Sequence, residues 1–473
     1  MSTVLAFDFG ASTGRAIKAA FDGKSLEYSE VHRFENIPAT DADGQLCWDF
    51  PYLLGEVKKA VAMCGDVDAL AFDTWGVDYG LLDEKDELLG LPVHYRDTRT
   101  NGMPEKIFEK ISPCDLYKAT GNQIMPINTL FQLTAETKQN AKTLLFMPDL
   151  FAWALCGEKS AEKTIASTSQ MFDFKNNCWN YDVAGLSGAD TAMLQPLTDS
   201  CTVVGEYKGI KVIKVAGHDT QCAVAAMPAD SEKSNAFLSC GTWSLIGCEC
   251  DDAILSEKSM DDELSNELGA NGRVNYLKNI SGLWLIQEIR RNFRGAGKNY
   301  SFNDMEQLAR AEKPFSCFID PDAPEFSVPG EVPEKIRAFC SKTNQSVPES
   351  DGALVRCIYE SLAMKYKMAL QQISDNTGRQ FEVLHLLGGG TKDGFLCQMT
   401  ANSLAIPVIA GPAEATALGN ILLQLIALGD IADIAQGRSF IRSQEQVKKY
   451  EPEDVAAWEN AYKSFCAAMQ SAN

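Results

Sequence analysis

Residues 4–17 read V-L-A-F-D-F-G-A-S-T-G-R-A-I. An apolar run carries one acid, Asp8, near its end, a turn of small residues follows, and an apolar stretch resumes after Arg15. The pattern predicts a strand, a tight loop and a second strand. Small side chains let backbone N–H groups face a phosphate, and an acid at the end of a strand suits a phosphate-bound Mg²⁺, directly or through water. The alternative is an ordinary hairpin with a solvated Asp8.

Length and charge limit the classes of protein to consider. At 473 residues the chain is too long for one core, so we expect two large domains. The net charge of −21 disfavours nucleic acid and anionic membranes as partners. We see neither a leader pattern nor an apolar run near the ~20 residues of a membrane span, so we expect a cytoplasmic protein. Its 15 scattered cysteines and 4 histidines favour reduced thiols without a structural zinc.

A second acidic stretch, D-T-W-G-V-D at residues 73–78, follows an apolar run that predicts a strand. Carboxylates hydrogen bond to sugar hydroxyls, and an aromatic face covers the C–H groups of a sugar. Asp73, Trp75 and Asp78 therefore suit a polyol site. The alternative is a turn with aspartate caps.

A third acid follows the strand predicted at residues 212–216, in the sequence G-H-D-T-Q at 217–221. In open α/β sheets ligands bind beyond the carboxyl ends of the strands, and the N-terminus of the predicted following helix helps to keep Asp219 ionised. An ionised carboxylate in this place can accept the hydroxyl proton of a sugar during phosphorylation. The alternative is that Asp219 only caps the helix.

The opening pattern occurs again at residues 236–247, which predict a strand, a small-residue turn at Gly241 and Thr242, and a second strand. The repetition indicates a duplicated fold with one phosphate loop in each half. A short polar stretch at 228–234 precedes the repeat. We place the domain boundary there, which gives an N-terminal domain at 1–232 and a C-terminal domain at 233–473.

Other patterns in the second half predict further elements. Residues 276–288 are predicted to be a loop that enters an apolar helix, and a long helix follows P-E-S-D at 348–351 and is closed by Gly378. Three glycines at 388–390 follow a predicted strand and let the backbone lie flat against an adenosine. The small residues at 411–420 predict close helix packing.

With these segments in order, nearly the whole chain resembles the carbohydrate kinases of the FGGY family, in the actin/hexokinase/Hsp70 superfamily. The resemblance implies an α/β fold of two duplicated ribonuclease H-like domains around a central cleft. The segments that carry it are D-F-G-A-S-T-G-R at 8–15, D-T-W-G-V-D at 73–78, G-L-P-V-H-Y-R-D-T-R-T-N-G at 90–102, H-D-T at 218–220, S-C-G-T-W-S at 239–244, K-N-I-S-G-L-W at 278–284 and G-P-A-E-A-T-A-L-G-N at 411–420.

The resemblance also implies a role for individual residues, with Asp219 as the catalytic base. The residues implied to bind ATP are Ala11, Ser12, Thr13, Gly14, Arg15, Thr242, Gln287 and Gly389. The residues implied to contact the sugar are Gly76, His218, Asp219, Thr220 and Asn279. Residue chemistry adds Asp73 and Trp75 to the sugar site and Asp8 as a Mg²⁺ ligand, directly or through water.

The implied reaction transfers the γ-phosphate of ATP to the 1-hydroxyl of L-rhamnulose with Mg²⁺, a step of rhamnose catabolism. The alternative substrate is L-fuculose, because residues 168–171 and 216–221 also resemble kinases of that sugar, whereas 90–102 and 278–284 favour L-rhamnulose. A non-catalytic nucleotide-binding protein is the second alternative, against which the three acids argue. We expect a monomer or homodimer with ATP and the sugar as partners, and neither nucleic acid nor membrane.

Overall fold

The computed structural model describes residues 2–138 and 140–472. Its contacts divide the chain into two compact units. The first unit comprises Met1–Pro228, Glu249–Leu277 and Ala415–Gln444, and the second comprises Ala229–Cys248, Lys278–Glu414 and Glu445–Asn473. None of the described helices combines the length and the apolar character that a membrane crossing requires.

The described chain contains both strands and helices. The strands are β1 Ser2–Phe9, β2 Thr13–Phe21, β3 Leu26–Glu35, β4 Ala39–Thr40, β5 Leu46–Cys47, β6 Ala69–Asp73, β7 Tyr79–Leu82, β8 Thr143–Phe146, β9 Ala161–Glu162, β10 Phe172–Asp173, β11 Cys178–Trp179, β12 Leu197–Thr198, β13 Thr202–Tyr207, β14 Ile210–Lys214, β15 Asn235–Cys240, β16 Trp243–Cys250, β17 Ser265–Leu268, β18 Val274–Ser281, β19 Val383–Leu387, β20 Val408–Ala410 and β21 Lys448–Tyr450.

The α-helices are α1 Phe50–Met63, α2 Met103–Phe108, α3 Pro113–Thr120, α4 Thr129–Thr134, α5 Met147–Cys156, α6 Lys163–Ala166, α7 Tyr181–Gly185, α8 Asp219–Ala225, α9 Glu257–Asp261, α10 Trp284–Gly295, α11 Phe302–Arg310, α12 Pro324–Ser327, α13 Val332–Lys342, α14 Asp351–Thr377, α15 Gly394–Leu404, α16 Ala415–Leu428, α17 Ile434–Gln444 and α18 Val455–Ala472. Short 3₁₀ helices lie at Thr98–Thr100, Thr191–Met193 and Gly389–Lys392.

The main sheet of the first unit has the strand order β13-β14-β6-β1-β2-β3. Strand β1 pairs antiparallel with β2 and parallel with β6, so the predicted strand–loop–strand at residues 4–17 is confirmed. Strand β14 continues the parallel part of the sheet beside β6. The carboxyl ends of β1, β6 and β14 therefore lie at one edge, where ligands bind in open α/β sheets.

Helix α16 packs on β1 and on α8 in the first unit. Its buried side chains, Ile421 and Leu425 among them, join those of β1 and β14 in one apolar core. The approach to α8 is very close, because a Cβ built on Gly419 would lie 1.8 Å from the carbonyl oxygen of Cys222. The small residues at 411–420 thus allow the close helix packing that the sequence predicts.

In the second unit β15 pairs antiparallel with β16 and parallel with β19, which repeats the arrangement of β1, β2 and β6. Strands β19, β20 and β21 extend the sheet from there. The predicted long helix is confirmed as α14: the Ser350 side chain accepts a hydrogen bond from Ala353 N, and Gly378 ends the helix with φ +69°. The duplicated pattern read from the sequence is therefore present in both units.

One sequence-based boundary is wrong. Residues 276–281 were predicted as a loop but belong to strand β18, Val274–Ser281. The strand has buried polar side chains, Asn275 at 0% and Lys278 at 3% exposure, so the usual alternation of apolar and polar residues is masked.

Candidate active site

Three acids of the first unit lie where the parallel strands end. Asp8 on β1 is in register with Asp73, the last residue of β6. Two backbone hydrogen bonds hold the segment that carries Asp219 beside the end of β6. Thr74 N donates to Gly217 O at 2.9 Å, and Asp219 N donates to Thr74 O at 2.8 Å. The structure thus brings together the three acids that the sequence singled out.

Asp73 is the most deeply buried of these acids, with no exposed surface. Asn420 Nδ2 donates to its Oδ2 at 2.7 Å, whereas its Oδ1 has no hydrogen-bond partner among the described residues. Burial, followed by the negative charge of Asp8, raises the pKa of Asp73 well above its ordinary 3.8. Ionisation of Asp73 beside Asp8 and Asp219 is therefore unfavourable unless a cation neutralises the cluster.

Asp8 and Arg15 face each other across the β1–β2 hairpin and form an ion pair. Their side chains are only 9% and 18% exposed. The pairing gives the Asp8 carboxylate a direct positive partner, whereas Arg15 lowers the pKa of Asp73 only as a minor influence. The family resemblance assigns Arg15 to ATP. The backbone of Arg15 lies on β2, just after the predicted phosphate loop, and its guanidinium group reaches the acid cluster.

Asp219 is the first residue of α8, and His218 occupies the N-cap position, so the capping alternative for Asp219 does not hold. Burial raises the pKa of Asp219 to about 6, the neighbouring His218 opposes this, and Asp8 adds to it. Since 33% of the side chain is exposed, solvent screens part of the shift. A partly accessible carboxylate that titrates close to neutrality is suited to accept a proton.

His218 is held by an acid that the sequence analysis missed. Its Nδ1 lies 2.9 Å from Oε2 of Glu267, and its Nε2 lies 3.4 Å from Oδ1 of Asp219. Burial lowers the pKa of His218, but the charge and hydrogen bond of Glu267, together with the charges of Asp219 and Glu162, outweigh burial and raise it above the ordinary 6.5. The adjacent Thr220 donates its backbone N–H to Asp219 Oδ1 at 2.6 Å.

The predicted polyol stretch is a rigid aromatic cluster. Indole nitrogens of Trp48 and Trp75 donate to Oδ2 of Asp78 at 2.7 and 3.0 Å, and Tyr95 N donates to the same oxygen at 3.1 Å. Gln132 Nε2 donates to its other oxygen at 2.8 Å. Asp78 therefore orients the indoles, and its oxygens are already occupied by protein donors.

Within that cluster the Trp75 ring lies 4.0 Å from the Trp48 ring and is 6% exposed. Gly76 sits beside Thr168, whose Oγ1 would be 3.4 Å from a Cβ on the glycine. Thr168 Oγ1 also accepts the N–H of Val77, which has φ 66°, an unfavourable value for a β-branched residue. Such strain is maintained only where the surroundings enforce it.

The first predicted phosphate loop is a tight turn fixed from outside. Gly10 N donates to Thr13 O at 2.9 Å, and Asn36 binds Ser12 O through its N–H and Gly10 O through its Nδ2, both at 3.0 Å. Ala11 and Thr13 are half-buried and Ser12 is exposed. A Cβ on Gly10 would approach only Thr13 O, at 3.5 Å, so one side of the loop is open.

Gly14 differs from Gly10 in what surrounds it. A Cβ on Gly14 would lie 2.2 Å from the Phe34 ring, so this glycine is required for packing of β2 against β3. Packing against Phe34 is therefore enough to account for a glycine at position 14, without any ligand. The implied contact of Gly14 with ATP stays a prediction.

The second unit contains the other implied ATP residues and Asn279. Gly241 N donates to Trp243 O at 2.8 Å, as Gly10 does to Thr13 in the first unit. Trp284 N at the start of α10 donates to Thr242 O at 3.1 Å, and Gln287 follows on the same helix. The loop at 241–242 is thus fixed to the helix that carries Gln287.

Two more predicted residues of the second unit lie on other elements. A Cβ on Gly389 would meet nothing within 4 Å, while its neighbour Gly388 has φ +81°. A Cβ on Gly390 would lie 2.3 Å from Cys240 Sγ. Of the three glycines at 388–390, only Gly389 therefore has open space where a side chain would begin. Asn279 is half-buried on β18.

These donor sets fit the cofactors that the sequence implies. Carboxylate oxygens are preferred Mg²⁺ ligands, and an acid cluster in which Asp8 and Asp219 both raise the pKa of Asp73 favours a bound cation. Loops with open glycine faces at Gly10, Gly241 and Gly389 leave room for phosphate or adenosine against the backbone.

Comparison with known proteins gives consistent results. Residues 3–236 match the N-terminal domain, and residues 236–428 the C-terminal domain, of the FGGY family of carbohydrate kinases. The chain is 37% identical to a protein named Rhamnulokinase from Bacteroides thetaiotaomicron, over 97% of this chain and 98% of that protein. It is 35% identical to a Rhamnulokinase from Enterococcus faecalis, over 98% of this chain and 97% of that one.

Solved structures show the same fold at low sequence identity. A ligand-bound xylulose kinase from Lactobacillus acidophilus has a TM-score of 0.81 at 16% identity, covering 100% of this chain and 98% of that chain. Plasmodium falciparum glycerol kinase with ADP has a TM-score of 0.77 at 13% identity, covering 100% and 97%. The α/β two-domain fold predicted from the sequence is therefore confirmed.

Proposed function

The chain belongs to the FGGY family of carbohydrate kinases, and we propose that it transfers the γ-phosphate of ATP to the 1-hydroxyl of L-rhamnulose. The observation that carries the proposal is the 35–37% identity, over nearly the full chain, to proteins named Rhamnulokinase. The acid cluster at the ends of β1 and β6 and at the start of α8 supports it, because a protein that only binds nucleotide does not need a proton acceptor beside two further carboxylates.

In this reaction Asp219 accepts the proton of the 1-hydroxyl as the oxygen attacks the γ-phosphorus, and ADP leaves. The position of the carboxylate at the start of α8, and a pKa near 6, support this role. We further propose that His218, Thr220, Asn279 and Gly76 bind the sugar together with Asp73 and Trp75. The Trp75 indole, locked by Asp78, offers a fixed apolar face.

Mg²⁺ would neutralise the charge that develops on the transferring phosphoryl group. Asp8 is the residue we assign to hold it, directly or through water, with Asp73 beside it. We assign the ATP phosphates and nucleoside to the residues implied by the family resemblance, Ala11, Ser12, Thr13, Gly14, Arg15, Thr242, Gln287 and Gly389. The open faces of Gly10, Gly241 and Gly389 support the assignment.

The remaining proposals concern the whole chain. A division into domains at 1–232 and 233–473 is supported by the two family models, which meet at residue 236. A cytoplasmic location and a monomeric or homodimeric state stay proposals from the sequence. L-Fuculose remains the second substrate candidate, because residues 168–171 and 216–221 also resemble kinases of that sugar.

The test is kcat/KM for ADP release with L-rhamnulose, L-fuculose, L-ribulose, D-xylulose and glycerol. These compounds differ in hydroxyl configuration, and a buried polar group left unpaired by the wrong one loses about 1–3 kcal/mol, or roughly 5- to 150-fold. We expect L-rhamnulose to lead. A tenfold advantage of L-fuculose would transfer the assignment to that sugar, and glycerol ahead of both would reject a ketose site.

A further inference from the structure

We propose that Glu267 is a positioning residue of the kinase site, which orients the His218 ring so that Nε2 faces the carboxylate of Asp219. The proposal rests on the function proposed above. Glu267 lies on β17, 49 residues along the chain from His218, and no motif in the sequence marks it. It is 4% exposed and acts through His218.

The geometry is a continuous buried hydrogen-bonded chain. Glu267 Oε2 lies 2.9 Å from His218 Nδ1 and accepts a hydrogen bond from Gln221 Nε2 at 2.7 Å. Gln221 Oε1 in turn accepts from Asn275 Nδ2. Gln221 and Asn275 are 1% and 0% exposed, so a buried amide holds the same Glu267 oxygen that contacts the histidine. These buried hydrogen bonds restrict the orientation of the carboxylate, although Asn275 Oδ1 at the far end of the chain has no partner among the described residues.

This arrangement determines what the imidazole can do. A carboxylate at Nδ1 requires a proton on that nitrogen. With a second proton on Nε2, the imidazolium hydrogen bonds to Glu267 on one side and faces Asp219, 3.4 Å away, on the other. Glu267 thereby favours the cationic ring, and the cation favours an ionised Asp219, which is the state that a base requires.

Other charges face the same groups, and they are mostly acidic. His218 is influenced by Glu267, Asp219 and Glu162, and Asp219 by His218, Asp8 and Glu267. Arg15 pairs with Asp8, and Asp73 lies beside Asp8. Removing the Glu267 charge has two opposite effects on Asp219: one repulsive charge is lost, and the cationic His218 is lost with it. The second effect is larger, because His218 is the nearer and stronger influence.

The first test needs no activity. The chain contains 4 histidines, so ring-labelled histidine gives a simple NMR titration, and His218→Gln identifies the His218 signal. We expect Glu267→Gln to lower the pKa of His218. Glu249→Gln is the matched control, since Glu249 is a half-buried acid of the same unit that pairs with Arg438 instead. An unchanged His218 titration in folded Glu267→Gln would overturn the proposal.

The second test is the pH dependence of ADP release. In Glu267→Gln we expect kcat/KM to fall about tenfold near pH 6 and less than threefold at pH 9, because His218 is neutral in both proteins at high pH. The acidic limb of the profile should therefore move to higher pH. A loss of equal size at every pH would mean a merely structural role and would reject the proposal.

Two further variants keep the result decisive if Glu267→Gln folds poorly. Glu267→Asp retains the charge and should restore the acidic limb toward that of the wild type. In a His218→Gln background, replacing Glu267 should cause almost no further loss, since the two residues act as one unit; additive losses would contradict this. If Asp219→Asn retained turnover, the proposed base would be wrong, while the His218 titration would still decide the role of Glu267.

Discussion

At the residue scale, the carboxyl groups of three aspartates occupy three different environments in this site. Asp73 is enclosed and accepts one amide from Asn420, Asp8 is paired with Arg15, and Asp219 keeps 33% of its side chain exposed. Pairs of acids whose surroundings push their pKa values apart commonly divide roles between them. Of the three, only Asp219 combines access with a raised pKa near neutrality, which makes it the candidate for proton transfer.

Asp219→Asn should retain the fold and remove the proton acceptor. We expect kcat to fall by roughly 10² or more, with ATP affinity little changed. The measurement is steady-state ADP release together with ATP titration by calorimetry. Asp86→Asn is the control, because Asp86 is an exposed acid that pairs with Lys159. Near-normal turnover in folded Asp219→Asn would exclude it from the mechanism.

The raised pKa of Asp219 also predicts how rate and stability depend on pH. A base works ionised, so kcat should fall as pH falls through about 6. A folded pKa above the unfolded value means that the folded state binds the proton more tightly, so Asp219 favours folding below pH 3.8 to 4 and this contribution is lost as pH rises through about 6. Asp219→Asn should therefore unfold at higher urea concentration than wild type at pH 8 and show no such gain at pH 4.

At the element scale, the close approach of α16 to α8 links packing to the site. Helix α8 begins with Asp219, and α16 carries Asn420 beside the Gly419 contact. Any displacement of α16 would therefore separate Asn420 from Asp73 and leave a buried acid without its donor. Stability and the electrostatics of the site depend on the same pair of helices.

Gly419→Ala should consequently destabilise the protein. The added Cβ would lie 1.8 Å from the Cys222 carbonyl oxygen, and overpacking of this kind costs about 1–3 kcal/mol or more. Gly55→Ala in α1 is the matched control: its Cβ would meet nothing within 4 Å, so this helical substitution should stabilise by about 0.5–1 kcal/mol. Urea unfolding measures both, and equal effects would contradict the close-packing argument.

Elements with strong local signals could be predicted from the sequence, and the others depend on distant contacts. The β1–β2 hairpin and the ends of α14 carry their own turn and cap residues. Strand β18 was misread because it buries the polar Asn275, whose partner Gln221 lies far away in the sequence. Glu267 was missed for the same reason: a glutamate in an ordinary short strand acquires its role only from the histidine that the fold places beside it.

At the scale of the whole molecule, each unit contains the same structural motif: a strand, a turn with a glycine, and an antiparallel second strand. The two turns share a backbone hydrogen bond, Gly10 N to Thr13 O at 2.9 Å and Gly241 N to Trp243 O at 2.8 Å. They share no conspicuous sequence identity beyond the glycine and small residues. Their common feature is an open backbone face, which is what a phosphate requires.

Gly10→Val and Gly241→Val test whether both turns serve ATP. The nearest atom to an added Cβ is 3.5 Å away at Gly10 and 3.8 Å at Gly241, so each variant should fold, while its side chain occupies the open face. A ligand that binds only the folded state stabilises it by about 2.7 kcal/mol at a hundredfold excess over Kd. We therefore expect the rise in Tm with Mg-ATP to be lost in each variant, while the sugar still raises Tm. If one variant keeps the full ATP-dependent rise, that turn does not bind phosphate, and the duplicated loops do not share a function.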